Sequence, residues 1–139
     1  MRRLTIICFL FVSLFYTISV SGQTTFPISD GEHIKYSAYI EMQRAYISGI
    51  CVLQNENNVI KGCLFNEFGL TAIDFSYNLK RQKVKLHSVF KILDKWYIRR
   101  VLRKDIAQLM MCLQKGETYY QNESRHIYYQ FTPIADEVK

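Results

Sequence analysis

Apolar and polar residues alternate with a period of two through most of this chain, and then, from Asp94 to Gln114, recur at steps of three and four. The first pattern predicts strands and the second an amphipathic helix. In HIKYSAYIEM, residues 33–42, Ile34, Tyr36, Ala38, Ile40 and Met42 share one side, so a strand is the simpler reading, although Ile34, Ala38, Met42 and Ala45 also fit a helical face. YISGICVLQ follows, rich in β-branched and aromatic residues; NENN supplies turn chemistry, and VIKGCLF runs back as its hairpin partner. The connector NEFG, residues 66–69, ends in a glycine that accepts positive φ, which makes it a reversal. Beyond it Thr71, Ile73, Phe75, Tyr77 and Leu79 fall on one face. After a second turn over residues 78–82, Val84, Leu86, Phe90 and Ile92 alternate against Lys83, Lys85, His87 and Lys91, giving a strand with a greasy side and a cationic side.

The helical stripe comprises Ile98, Val101, Leu102, Ile106, Leu109, Met110 and Leu113, with Arg100, Arg103, Lys104 and Gln108 opposite. Asp94 is placed to cap its start and Gly116 to end it. About 21 residues of helix run roughly 31 Å, long enough to cross a sheet. ETYYQ and RHIYYQFTP read as two closing strands. The expected fold is α+β: a curved antiparallel sheet of about six or seven strands with one long amphipathic helix on its apolar face. Such a container leaves a cavity when its lining residues are large and few, and aromatic residues make up 14 % of the chain. Phe75 and Tyr77 are then candidate wall residues for an apolar pocket. The same side chains also suit a filled core, which is the commoner outcome.

Composition adds an address. MRRLTIICFLFVSLFYTISVSGQ has two arginines, an apolar run from Leu4 to Val20 and small residues at Ser19, Ser21 and Gly22, the layout of a secretory signal cut after Ser21 or Gly22. The competing reading is an uncleaved anchor, because the run approaches the length that spans a bilayer. Removal of residues 1–22 leaves about 117 residues, 23–139, enough for one domain and too few for two. It also takes Arg2 and Arg3 from a net charge of +6.

The remaining charge is uneven. Between Lys80 and Lys104 the basic residues face a single acid, Asp94. Such a field favours anionic partners: lipid headgroups of a membrane surface or an acidic protein, with no nucleic acid expected of an exported chain. A plain solvated face is the bland alternative. Trp96 and Tyr97 beside Lys95, Arg99 and Arg100 form an aromatic and cationic cluster of the kind a membrane interface accommodates; domain packing explains Trp96 equally well.

At this point YISGICVLQ, FNEFGLTAIDFSYN, KVKLHSVF and DKWYIRRVLRKDIAQLM resemble the strand and helix order of the LolA/LolB-type lipoprotein-carrier fold, over about residues 37–113. The resemblance implies an exported protein of the periplasm or cell envelope of a Gram-negative bacterium that holds acyl chains, or a lipidated protein, between sheet and helix. The chain is shorter than such carriers, has one long helix where they use several, and lacks the anchor cysteine of the receptor branch. No functional residue carries over position by position.

Catalytic and metal chemistry finds little footing. His33, His87 and His126 are expected on different strands, and no nucleophile motif of the G-x-S-x-G kind occurs. Glu67 in its turn and Asp74 on the outer side of its strand read as surface residues. Cys51, Cys63 and Cys112 have no zinc-site spacing, and as an odd set they leave at least one free thiol. We therefore expect no enzyme, no cofactor and no metal. Asp105 is the anomaly: it projects inside the apolar arc of the helix and must find a partner, such as Arg125, a sheet lysine or a tyrosine hydroxyl. It is either half of an ion pair pinning helix to sheet or a polar group at the mouth of a pocket. The leading expectation is a non-enzymatic lipid binder; the alternative is an interaction module with a filled core and a basic gripping surface.

Overall fold

A computed structural model describes residues 26–134, and the expected leader, residues 1–22, lies outside the described residues. Seven strands form one antiparallel sheet: β1 (His33–Glu41), β2 (Tyr46–Glu56), β3 (Val59–Asn66), β4 (Thr71–Asn78), β5 (Lys83–Val89), β6 (Tyr119–Asn122) and β7 (Ile127–Pro133). Their spatial order is β5-β4-β3-β2-β1-β7-β6. The sheet curls into a half-barrel, and one helix, α1 (Trp96–Gln114), packs against both β5 and β6, the two edges. It closes the open side of the curl.

Local chemistry explains each reversal. Asn57 and Asn58 adopt φ of 54° and 66°, the two-residue turn whose twist suits a tight hairpin. At the NEFG turn Gly69 has φ 80°, and the Asn66 Oδ1 accepts from the amides of Phe68 and Leu70, both at 3.0 Å. Asn78 does the same for Lys80 and Arg81. The helix ends as expected at Gly116: the Glu117 amide donates to Cys112 O and the Gly116 amide to Leu113 O.

The inner face of the sheet and one stripe of α1 make a single core. Leu102, Ile106, Leu109, Met110 and Leu113 are buried there with Tyr36, Leu53, Ile60 and Tyr77, each fully buried aliphatic contributing about 1.5–3 kcal/mol.

Several local expectations need correction. Asp94 does not cap α1: Lys95 occupies that position, and the Asp94 carboxylate instead meets Arg99 Nη1 at 2.7 Å. A short 3-10 turn (Lys91–Leu93) intervenes between β5 and α1, which is what displaces the aspartate. The alternation expected for β5 breaks where the β4–β5 register shifts, so Val89 enters the core while Ile92 is left outside. The polar stretch before β1 is also docked: Phe26 is buried, and the buried Asn55 amide donates to Pro27 O and Ile28 O at 2.9 and 2.8 Å. His126 sits in the β6–β7 turn, not in a strand.

Candidate functional site

Strand direction sorts the connections into two ends. The register pairs Glu41 with Tyr46, Phe65 with Thr71 and Glu41 with Tyr128, so turns 42–45, 67–70 and 123–126 gather at one end, joined there by the β5–α1 connection. At this end a hollow of about 610 Å³ opens to solvent between the first half of α1 and the tips of two hairpins. Tyr97, Ile98, Val101 and Leu102 supply one wall; Met42 and Ile127 face them, and Arg44 and Arg125 stand at the border. The volume lies within the range of small-molecule sites.

The wall is apolar for the same reason the helix folds here. Ile98, Val101 and Leu102 begin the apolar stripe; Leu102 is buried, whereas Ile98 and Val101 are only partly covered where they line the hollow. Both arginines are exposed, and neither forms an ion pair among the described residues. The chemistry offered is thus an oily groove with two guanidinium forks at its rim, which match a carboxylate or phosphate in geometry and charge.

Asp105 lies one turn further along α1 and is not part of this wall. Its carboxylate is buried, accepts from the Tyr129 hydroxyl at 2.7 Å, and accepts from Asn122 Nδ2 at 2.9 and 3.1 Å. Burial pushes its pKa above the ordinary carboxylate range, while the bonds from Tyr129 and Asn122, and then the charge of Arg125, act the other way. So the partner is a tyrosine hydroxyl plus an amide, not an ion pair. The arrangement pins α1 to β6 and β7 as a structural tie.

The remaining candidates divide. Tyr97 lines the groove, and Trp96 packs edge-on against it with ring centroids 5.8 Å apart, largely in solvent. Arg99 is half-buried and committed: besides Asp94 it donates to Leu86 O at 3.3 Å, tying the helix start to β5. Arg100 points into solvent. Phe75 and Tyr77 are in the core, away from the groove, and the ring of Phe75 lies over the bare backbone of Gly62 on the neighbouring strand.

Sequence reasoning missed Met42, Arg44 and Ile127 as groove residues. The turn Met42–Ala45 contains no glycine, proline or asparagine, so nothing announced that two strand tips would meet the helix there. Arg125 was visible only as a possible partner of Asp105.

Metal chemistry has no assembled site among the described residues. No group of three or more His, Cys, Asp or Glu side chains could hold a metal ion. His87 shares a hydrogen bond of 3.0 Å with Ser76 on the outer face. Cys51 is buried on the inner face opposite Leu64, whereas Cys63 sits opposite Val52 on the outer face, so adjacent register does not bring the two sulfurs together. All three described thiols are free, and burial raises the pKa of each. No described helix is long and apolar enough to cross a membrane.

Compared with protein-family models, curated proteins and solved structures, the chain matches none.

Proposed function

We propose that the protein is a non-enzymatic component of the cell envelope that binds an anionic amphiphile, an acyl chain with a carboxylate or phosphate head or the lipid of a lipidated protein, in the groove at the open end of the half-barrel. The observation that carries this reading is the pairing of an apolar wall (Ile98, Val101, Leu102) with two exposed arginines, Arg44 and Arg125, that line the same hollow and form no ion pair among the described residues. The oily wall gives the chain a place to leave water, and the guanidiniums orient the head. The signal-like pattern of residues 1–22 supports export.

The test is a fluorescence titration with anilinonaphthalene sulfonate, an anionic amphiphile, followed by displacement with a long-chain fatty acid. Saturable binding that falls about tenfold in Arg44→Ala/Arg125→Ala, and is lost in Val101→Asp, is expected. Undiminished binding in both variants refutes the site. Mass spectrometry of extracts from protein isolated out of its own host identifies the natural occupant.

A second reading keeps one specific support. Lys83 and Lys85 on the outer face of β5, and Arg100, Arg103 and Lys104 on the outer face of α1, are all exposed and outside any ion pair among the described residues. They would grip an acidic protein surface, and such binding would weaken steeply with salt while the groove variants left it untouched.

A further inference from the structure

We infer that the open end of the half-barrel is a docking face for an anionic lipid bilayer. Large apolar side chains exposed singly on a surface need no explanation. Here Tyr46, Phe68, Leu70, Ile92, Trp96 and Tyr97 are exposed together at one end, carried by three separate connections. Phe68 is 84 %, Ile92 77 % and Trp96 75 % exposed, more than any other large apolar side chain described. Phe68 borders a small surface hollow and Trp96 meets the ring of Tyr97 edge-on, yet all three side chains remain mostly in solvent. A second, smaller hollow of about 190 Å³, lined in part by Tyr46, Phe68 and Phe90, lies between the NEFG turn and the start of β2, so two of the projecting residues border a common recess.

Charge selects the partner. Between the apolar tips stand Arg44, Lys91, Lys95, Arg100 and Arg125, all exposed. The acids of the same end are Glu41, Glu67 and Glu123, with Asp94 already bound to Arg99. A protein partner would want one flat, contiguous patch. Separate tips around a groove mouth, with tryptophan and tyrosine next to lysine and arginine, suit the headgroup layer, where each side chain finds its own depth. Each basic group near an anionic leaflet strengthens attachment about fivefold. The face needs no cargo in the groove, and would stand if the groove bound nothing; docked, it sets the groove mouth against the headgroups.

The chain has a single tryptophan, and it is at this end, so Trp96 reports docking directly. The experiment mixes the full chain with phosphatidylcholine vesicles, with and without phosphatidylglycerol, and follows Trp96 emission together with quenching by brominated acyl chains. The expected result is a blue shift and quenching that require phosphatidylglycerol and weaken with salt. Phe68→Ser/Ile92→Ser, which alters only exposed side chains, is expected to lower partitioning about tenfold with an unchanged circular dichroism spectrum. Flotation with vesicles but no change in Trp96 emission overturns the inference, because attachment then resides elsewhere in the chain. So does a blue shift that appears without vesicles as protein concentration rises, which marks a second copy as the occupant, or an equal shift on adding polyglutamate, which marks an acidic protein.

Discussion

Replacing Tyr129 by phenylalanine removes one oxygen and leaves the ring that packs in the core. That oxygen is 2.7 Å from the Asp105 carboxylate, so the substitution takes away one of two donors and leaves Asn122 alone to solvate a buried charge. A hydrogen bond to a charged group contributes ~1.5–3 kcal/mol, against ~0.5–1.5 for a neutral one. For a domain of about 110 residues unfolding with ~2.1 cal/mol/K per residue, the larger loss lowers Tm by roughly 6–13 °C. The pH dependence is the sharper signature. Burial raises the pKa of Asp105, so the folded state holds a proton that the unfolded chain has released, and wild-type stability falls as pH rises from ~4 toward the native pKa, then levels. Loss of the Tyr129 bond raises the native pKa further and extends that window upward. The difference between Tyr129→Phe and wild type is therefore expected to be smaller at pH 4 than at pH 8, because the Tyr129 bond to the carboxylate form is the stronger one. Urea denaturation of both proteins at the two pH values measures it. A difference that is equal at both, or larger in acid, would mean that Asp105 carries no buried charge and that the tie has been misassigned.

Three further outcomes follow from the packing. Tyr77 is as buried as Tyr129, but its hydroxyl meets no hydrogen-bond partner among the described residues, so Tyr77→Phe is expected to change stability by less than about 0.5 kcal/mol in the same denaturation assay. Gly62→Ala drives a methyl into the Phe75 ring and is expected to destabilise by ~1–3 kcal/mol; in a Phe75→Leu background the same change costs less, and a double-mutant cycle without coupling would contradict the contact. Asn55→Ala strands Pro27 O, Ile28 O and the Asn58 amide, with an expected loss of ~2–3 kcal/mol and faster limited proteolysis between residues 26 and 33.

The sheet, the helix and the turns at residues 55–58, 66–69 and 78–82 were legible because each rests on a local rule: alternation for the strands, a stripe for α1, turn chemistry at asparagine and glycine. Asp105 declared itself as a charge on the wrong side of that stripe, and the tyrosine hydroxyl among its expected partners is the one it meets. What stayed hidden depends on neighbours. The shift in the β4–β5 register brings Val89 into the core and leaves Phe90 only partly buried, and no property of Ser88 or Val89 alone signals it. Asp94 has the chemistry of a cap but not the backbone position, since the 3-10 turn ends first. The groove was invisible because it is a gap between three segments far apart in sequence, closed by a curl that no single strand encodes.

The place of β7 in the sheet has a consequence for biosynthesis. The last of the described strands, β7, inserts beside the first, with Tyr36 opposite Pro133, and through β7 the earlier strand β6 joins the sheet. A nascent chain therefore carries an unpaired flank along β1 until β7 is made, and pairings of such long range form slowly. During that interval the open flank of β1 is a place where a neighbouring copy could add a strand, and β7 then occupies it.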